Sequence, residues 1–138
     1  MMTPSPPFDL LTHLRDTLAD LDGIVTCRIG LEPNITPDQY PLIRIVPSRL
    51  APVADVGQRV RIDLIVYFGL PTQETADGLE AVYENLLRME TDIREAVLFA
   101  TVRAAGGRRL RVRAVETLFD EDRLPHYKLM ASRFEVEG

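Results

Sequence analysis

The residues best suited to chemistry in this chain are few. The cysteine and histidine set consists of Cys27, His13 and His126. A zinc site takes three or four such ligands, usually in closely spaced pairs. Here they fall in three separate stretches, with no Cys or His neighbour at a metal spacing. Cys27 lies in an apolar stretch, where a lone cysteine packs as a small hydrophobe and its thiol stays inert. His13 reads as an exposed position of a first helix and His126 as a turn residue. Ser5, Ser48 and Ser132 lack the Gly-x-Ser-x-Gly setting of a nucleophile elbow. Gly106-Gly107-Arg108-Arg109 comes closest to a phosphate loop but leads from a helix into a strand. Phosphate loops run the other way, into a helix N-terminus, so Gly-Gly reads as a helix stop. No catalytic, cofactor-binding or metal-binding residue is assigned, and the chain does not read as an enzyme.

The charged side chains carry more information. Glu80, Glu84, Glu90 and Glu95 spread along a helix, and Asp120, Glu121 and Asp122 form an acidic turn with Arg123 beside it. Acid–base catalysis needs carboxylates in differently tuned, partly buried surroundings, and these read as solvated. Arg103, Arg108, Arg109, Arg111 and Arg113 crowd one region, and the last three alternate along one strand face. Like charges at close range cost about 1 kcal/mol per pair even in water. Three partners could neutralise them: solvent counter-ions, a nucleic-acid backbone, or carboxylates of another copy of the chain. Nucleic-acid readers interleave aromatics with basic residues, and this strip has none before Phe119. Charge pairing across a subunit contact is the preferred reading. The interface candidates are therefore Arg108, Arg109, Arg111, Arg113, Asp120, Glu121 and Asp122.

Elements to position these residues follow from periodicity. Residues 1–7 are proline-rich and predict a flexible N-terminal arm ahead of a single domain over 8–138. Leu10, Leu11, Leu14, Leu18 and Leu21 recur at helical steps over 8–21, and Asp22-Gly23 ends that helix. Residues 24–29 read as a short strand, 30–40 as a loop, and 41–47 as a strand fenced by Pro41 and Pro47. A second loop follows at 48–58. Residues 59–68 alternate Val60, Ile62, Leu64, Val66 and Phe68 against Arg59, Arg61 and Asp63, the clearest strand signal of all. Gly69-Leu70-Pro71 breaks it. A helix over 72–100, capped by Thr72, carries Leu79, Val82, Leu86, Met89 and Ile93 at steps of three and four. Residues 110–119 and 127–136 form a closing hairpin around the turn at 120–125. The expected fold is α+β: a single mixed, mainly antiparallel sheet of about five strands backed by two helices, in the order α-β-β-β-α-β-β.

The composition is that of an ordinary globular domain, with 138 residues, 46% hydrophobic and 27% charged. A net charge of −5 gives bulk electrostatics no case for nucleic-acid binding. No signal peptide is visible, and the longest apolar run, 64–70, is far short of the ~20 residues that span a bilayer. The single cysteine cannot close an internal disulfide, which suits a reducing cytoplasm.

This layout resembles the bacteriophage tail terminator family, also called tail completion or tail-to-head joining proteins. The resemblance rests on the opening helix, the strands 41–47 and 58–68, the helix 72–100 and the hairpin, and covers nearly the whole chain without a signature motif. It implies a mixed sheet backed by helices and a homo-oligomer, a hexameric ring that stops tube polymerisation. It further implies contacts with the tail tube protein and head connector proteins, passive passage of DNA, no membrane partner, and no cofactor. Assembly in the cytoplasm and a place in the virion tail would follow. The loops 30–40 and 48–58, the N-terminal arm, the acidic turn and the arginine strip would then be contact segments. A small-molecule-binding or regulatory α+β module is the alternative.

Overall fold

Leucines at helical spacing and alternating β-branched residues bury one face of each element against a shared core. The computed structural model describes residues 6–52, 60–71, 78–104, 111–120 and 127–137. Its elements are α1 (Pro6–Ala19), β1 (Thr26–Ile29), a short 3-10 turn (Pro37–Gln39), β2 (Leu42–Pro52), β3 (Val60–Pro71), α2 (Leu79–Ala104), β4 (Arg111–Phe119) and β5 (Tyr127–Glu137). The five strands form one sheet in the order β1-β2-β3-β5-β4. β1 pairs with β2 in parallel, and the other pairings are antiparallel. This is the expected α+β fold, in the expected order of elements.

Both helices lie on one face of the sheet. Leu10, Leu11, Leu14 and Leu18 of α1 and Val82, Leu86, Ile93, Val97 and Ala100 of α2 are buried. They meet Ile43 and Ile45 of β2, Ile62, Leu64, Val66 and Phe68 of β3, and Met130, Phe134 and Val136 of β5. Burying each such Leu, Ile or Phe contributes about 1.5–3 kcal/mol relative to leaving it exposed. β4 lends this core only Val112, at its margin.

Several boundaries differ from those read off the sequence. α1 starts at Pro6, inside the expected arm, because the first helical turn needs no N–H from proline. Residues 1–5 lie outside the described residues. β2 runs through Pro47 to Pro52 instead of stopping at the proline. β1 reaches only as far as Ile45, so beyond that point β2 is an edge, where proline removes no ladder bond. A bulge between Pro47 and Arg49 absorbs the irregularity, and the Ser48 hydroxyl donates to the Asp63 carbonyl at 3.2 Å. The start of the expected loop 48–58 is thus strand, and 53–59 lie outside the described residues.

Gly69 does not break β3, which continues to Pro71 opposite Tyr127. A Cβ on Gly69 would stand 2.5 Å from Leu129 Cδ2 and 2.8 Å from the Lys128 carbonyl oxygen, so glycine permits a close approach there. α2 starts at Leu79 and not at Thr72. Gly78 has φ 84°, a left-handed conformation that no right-handed helix can run through. Thr72, the expected cap, lies with the rest of 72–77 outside the described residues. At its other end α2 continues to Ala104, past the expected stop near Ala100.

Candidate functional site

The helix-free face of the sheet gathers the charged residues of the strands into rows. Arg61, Glu137 and Arg111 lie side by side across β3, β5 and β4, and Asp63, Glu135 and Arg113 form the next row. Ile65, Arg133 and Glu116 follow, then Tyr67, Ala131 and Leu118. Arg113 Nη2 stands 3.1 Å from Glu135, and Arg133 Nη1 is 2.9 Å from Glu116. Arg61 Nε faces Asp63 at 3.4 Å without hydrogen-bonding it. Four arginines (61, 111, 113, 133) thus meet four carboxylates (63, 116, 135, 137) across these three strands. Arg49 of β2, opposite Asp63, adds one further cation. Such a checkerboard is close to neutral and offers a phosphate backbone little net field.

Of the sequence-predicted interface residues, Arg111 and Arg113 come together on this face. Arg113 has its carboxylate in its own chain, a partner that the strip alone does not reveal. Arg111 is exposed and forms no ion pair among the described residues. Asp120 lies just past the other end of β4, about nine residues or 30 Å of strand from Arg111. There the Leu129 N–H donates to its Oδ2 at 2.9 Å, which ties the carboxylate into its own hairpin. Arg108, Arg109, Glu121 and Asp122 lie outside the described residues, as does His126.

β4 is the exceptional element. Among the described residues it pairs only with β5, and none of its nine residues is buried. Val115 sits at a register shift between Ala114 and Glu116, where the strand bends. Val115, Leu118 and Phe119 are exposed, although the Phe119 ring leans against Tyr83 of α2 with centroids 6.3 Å apart. Beneath the bend, α2 leaves an open cleft of about 270 Å³ between Glu90, Arg94 and the β4–β5 pair. At its floor the Thr117 and Ser132 hydroxyls share a hydrogen bond of 2.7 Å. A long strand with one unpaired edge and little cover on either face is a template for another chain.

At the opposite side of the sheet the loop 30–40 folds over β1 and β2 and is held by a charge absent from the sequence-based candidates. Arg44 is fully buried on the face away from the helices. Its Nε donates to Glu32 Oε1, and its Nη1 donates to Thr26 Oγ1 at 3.0 Å and to the Ile43 carbonyl at 2.9 Å. Nη2 is buried without a hydrogen-bond partner. The hydrogen bond from Arg44, helped by Arg28 at 3.0 Å, holds the Glu32 carboxyl below the usual carboxylate range. The sequence signal was present: a lone arginine inside the apolar run Leu42–Val46 has to find a carboxylate.

Cys27 and His13 sit in the helix-side packing. Burial pushes the Cys27 thiol up to about 11 against the opposing pull of Arg44 and Arg15, and its S–H points to the Arg15 carbonyl at 3.5 Å. His13 is half-buried with Nε2 enclosed and without a hydrogen-bond partner, so it is not the exposed position expected. Among the described residues no group of three or more His, Cys, Asp and Glu side chains is placed to hold a metal ion. No described helix is long and apolar enough to cross a membrane. No protein-family model matches the sequence, and a search of curated proteins finds no match.

Proposed function

We propose that this chain is a structural assembly protein whose work is contact with copies of itself and with neighbouring proteins. The observation that carries the reading is β4: a nine-residue strand at the edge of the described sheet with no buried residue, an arginine at one end that forms no ion pair among the described residues, and exposed apolar residues at the other. Natural sheets protect such edges unless something else covers them. Together with the resemblance of the sequence layout to phage tail terminators, this supports a ring at the end of a tail tube. The tail tube protein and head connector proteins are the proposed further partners, with DNA passing through the ring. Synthesis in the cytoplasm and residence in the virion tail belong to the same proposal.

Sedimentation velocity over a range of protein and salt concentrations tests it. Self-association that rises with concentration and weakens with salt is the expected result. Arg111→Glu, which breaks no ion pair within the described chain, should lower association while leaving the circular dichroism spectrum unchanged. A wild-type protein that stays monomeric at its highest soluble concentration, and forms no contact with tail tube protein, defeats the reading.

A further inference from the structure

A second surface answers the arginine end of β4. Where α1 ends and crosses α2, two open hollows of about 220 and 350 Å³ adjoin, sharing Leu21 and Asp92. Leu21, Leu70 and Met89 give the groove an apolar floor, and Phe99, 58% exposed, stands at its far wall. Asp20, Asp22, Asp92 and Glu95 rim it, and none of them forms an ion pair among the described residues. The cation within the groove lining, Arg88, is already 3.2 Å from Glu84. An apolar trough with a surplus of unpaired carboxylates suits a segment that is basic and carries apolar side chains.

We infer that this groove is the receiving half of a subunit contact, occupied by the arginine-rich segment leading into β4 of a second copy. From Arg103 to Arg113 the chain holds five arginines and no carboxylate, with Leu110 and Val112 set among them. Charge complementarity between that stretch and the rim is direct. Within one molecule Arg111 lies far from the Leu70 end of the groove. Leu70 lies nine residues along β3 from Arg61, which shares its row with Arg111, a separation of about 30 Å. Groove and arginine segment are different patches of the chain, so their contact is heterologous, head to tail, and closes into a ring or runs on as a filament. The inference rests on the assembly reading and names which patch meets which.

A charge exchange tests it. The groove variant Asp92→Arg/Glu95→Arg and the strand variant Arg108→Glu/Arg109→Glu/Arg111→Glu are purified separately and together, with circular dichroism and melting temperature as controls for folding. Each alone should associate at least about tenfold more weakly than wild type, because like charges then face each other. An equimolar mixture should recover assembly, since every groove again meets a strand end of opposite charge. If a reversed variant fails to fold, Asp92→Asn/Glu95→Gln takes the place of the groove variant and should weaken association alone. Wild-type protein that assembles while the folded variants assemble equally well overturns the groove assignment and leaves the assembly reading standing. A mixture that stays as weak as its parts also overturns it. Wild-type protein that never associates removes both.

Discussion

Replacing Glu32 with glutamine should destabilise the protein more than its surface position suggests. Arg44 is wholly buried, and Glu32, 27% exposed in its side chain, supplies the carboxylate bonded to it among the described residues. Glutamine keeps an acceptor for Nε but removes the counter-charge, so a cation stays buried with Nη2 already unpartnered. Breaking a buried pair from one side costs about 3–5 kcal/mol, and the partial exposure of Glu32 places this case near 3. With a urea slope of about 2 kcal/mol per molar, the unfolding midpoint should fall by ~1.5 M. Arg44→Met removes the buried charge itself and should cost less, about 1–2 kcal/mol, mostly through the abandoned Thr26 and Ile43 acceptors. Adding Glu32→Gln to Arg44→Met should then change little. Acid supplies a second readout. Because the folded carboxyl titrates below its usual range, its stabilisation is complete above about pH 4.5 and is lost as pH falls through the folded value. The gap between wild type and Glu32→Gln should therefore narrow on acidification. A Glu32→Gln midpoint within error of wild type at pH 7, or a greater loss from Arg44→Met, would refute the reasoning.

Gly69→Ala should destabilise by about 2 kcal/mol or more, since its Cβ meets the Lys128 carbonyl, which is backbone and cannot swing away. Thermal melts followed by circular dichroism will measure it. By contrast, Gly78→Ala meets nothing within 4 Å and should cost only about 1 kcal/mol through its left-handed φ. The Cys27 thiol should react slowly with a thiol reagent at pH 8 in the folded protein and fast in urea, because burial holds it protonated up to about 11. Equal rates in both states would place Cys27 at the surface.

The sequence showed its elements well where burial imposes a period. The leucines of α1, the alternation of Val60–Phe68 and the stripe of α2 all face the core as their spacing requires. It misled where a local breaker meets a tertiary exemption. Pro47 is tolerated because β1 pairs with β2 no further than Ile45, and Gly69 because another strand crowds it. Gly78 interrupts a run whose spacing alone looks continuous. None of those neighbours is visible from the residue itself. The candidate site was half legible for the same reason. The arginines stood out as a cluster, but the partner of Arg113 depends on a hairpin register that only the folded β4–β5 pair sets. Arg44 and Glu32, twelve residues apart, meet through the loop between them. The acidic groove draws its rim from the end of α1 and the middle of α2, far apart in sequence, and of its carboxylates only Glu95 stood out there, as part of a solvated helix face.

The most direct test of the assembly account is the mass of the wild-type particle. Native mass spectrometry at several concentrations, with negative-stain microscopy of the same samples, should show one closed oligomer as a ring, of six copies if the resemblance to tail terminators holds. A monomer at every concentration and in the presence of tail tube protein would contradict it.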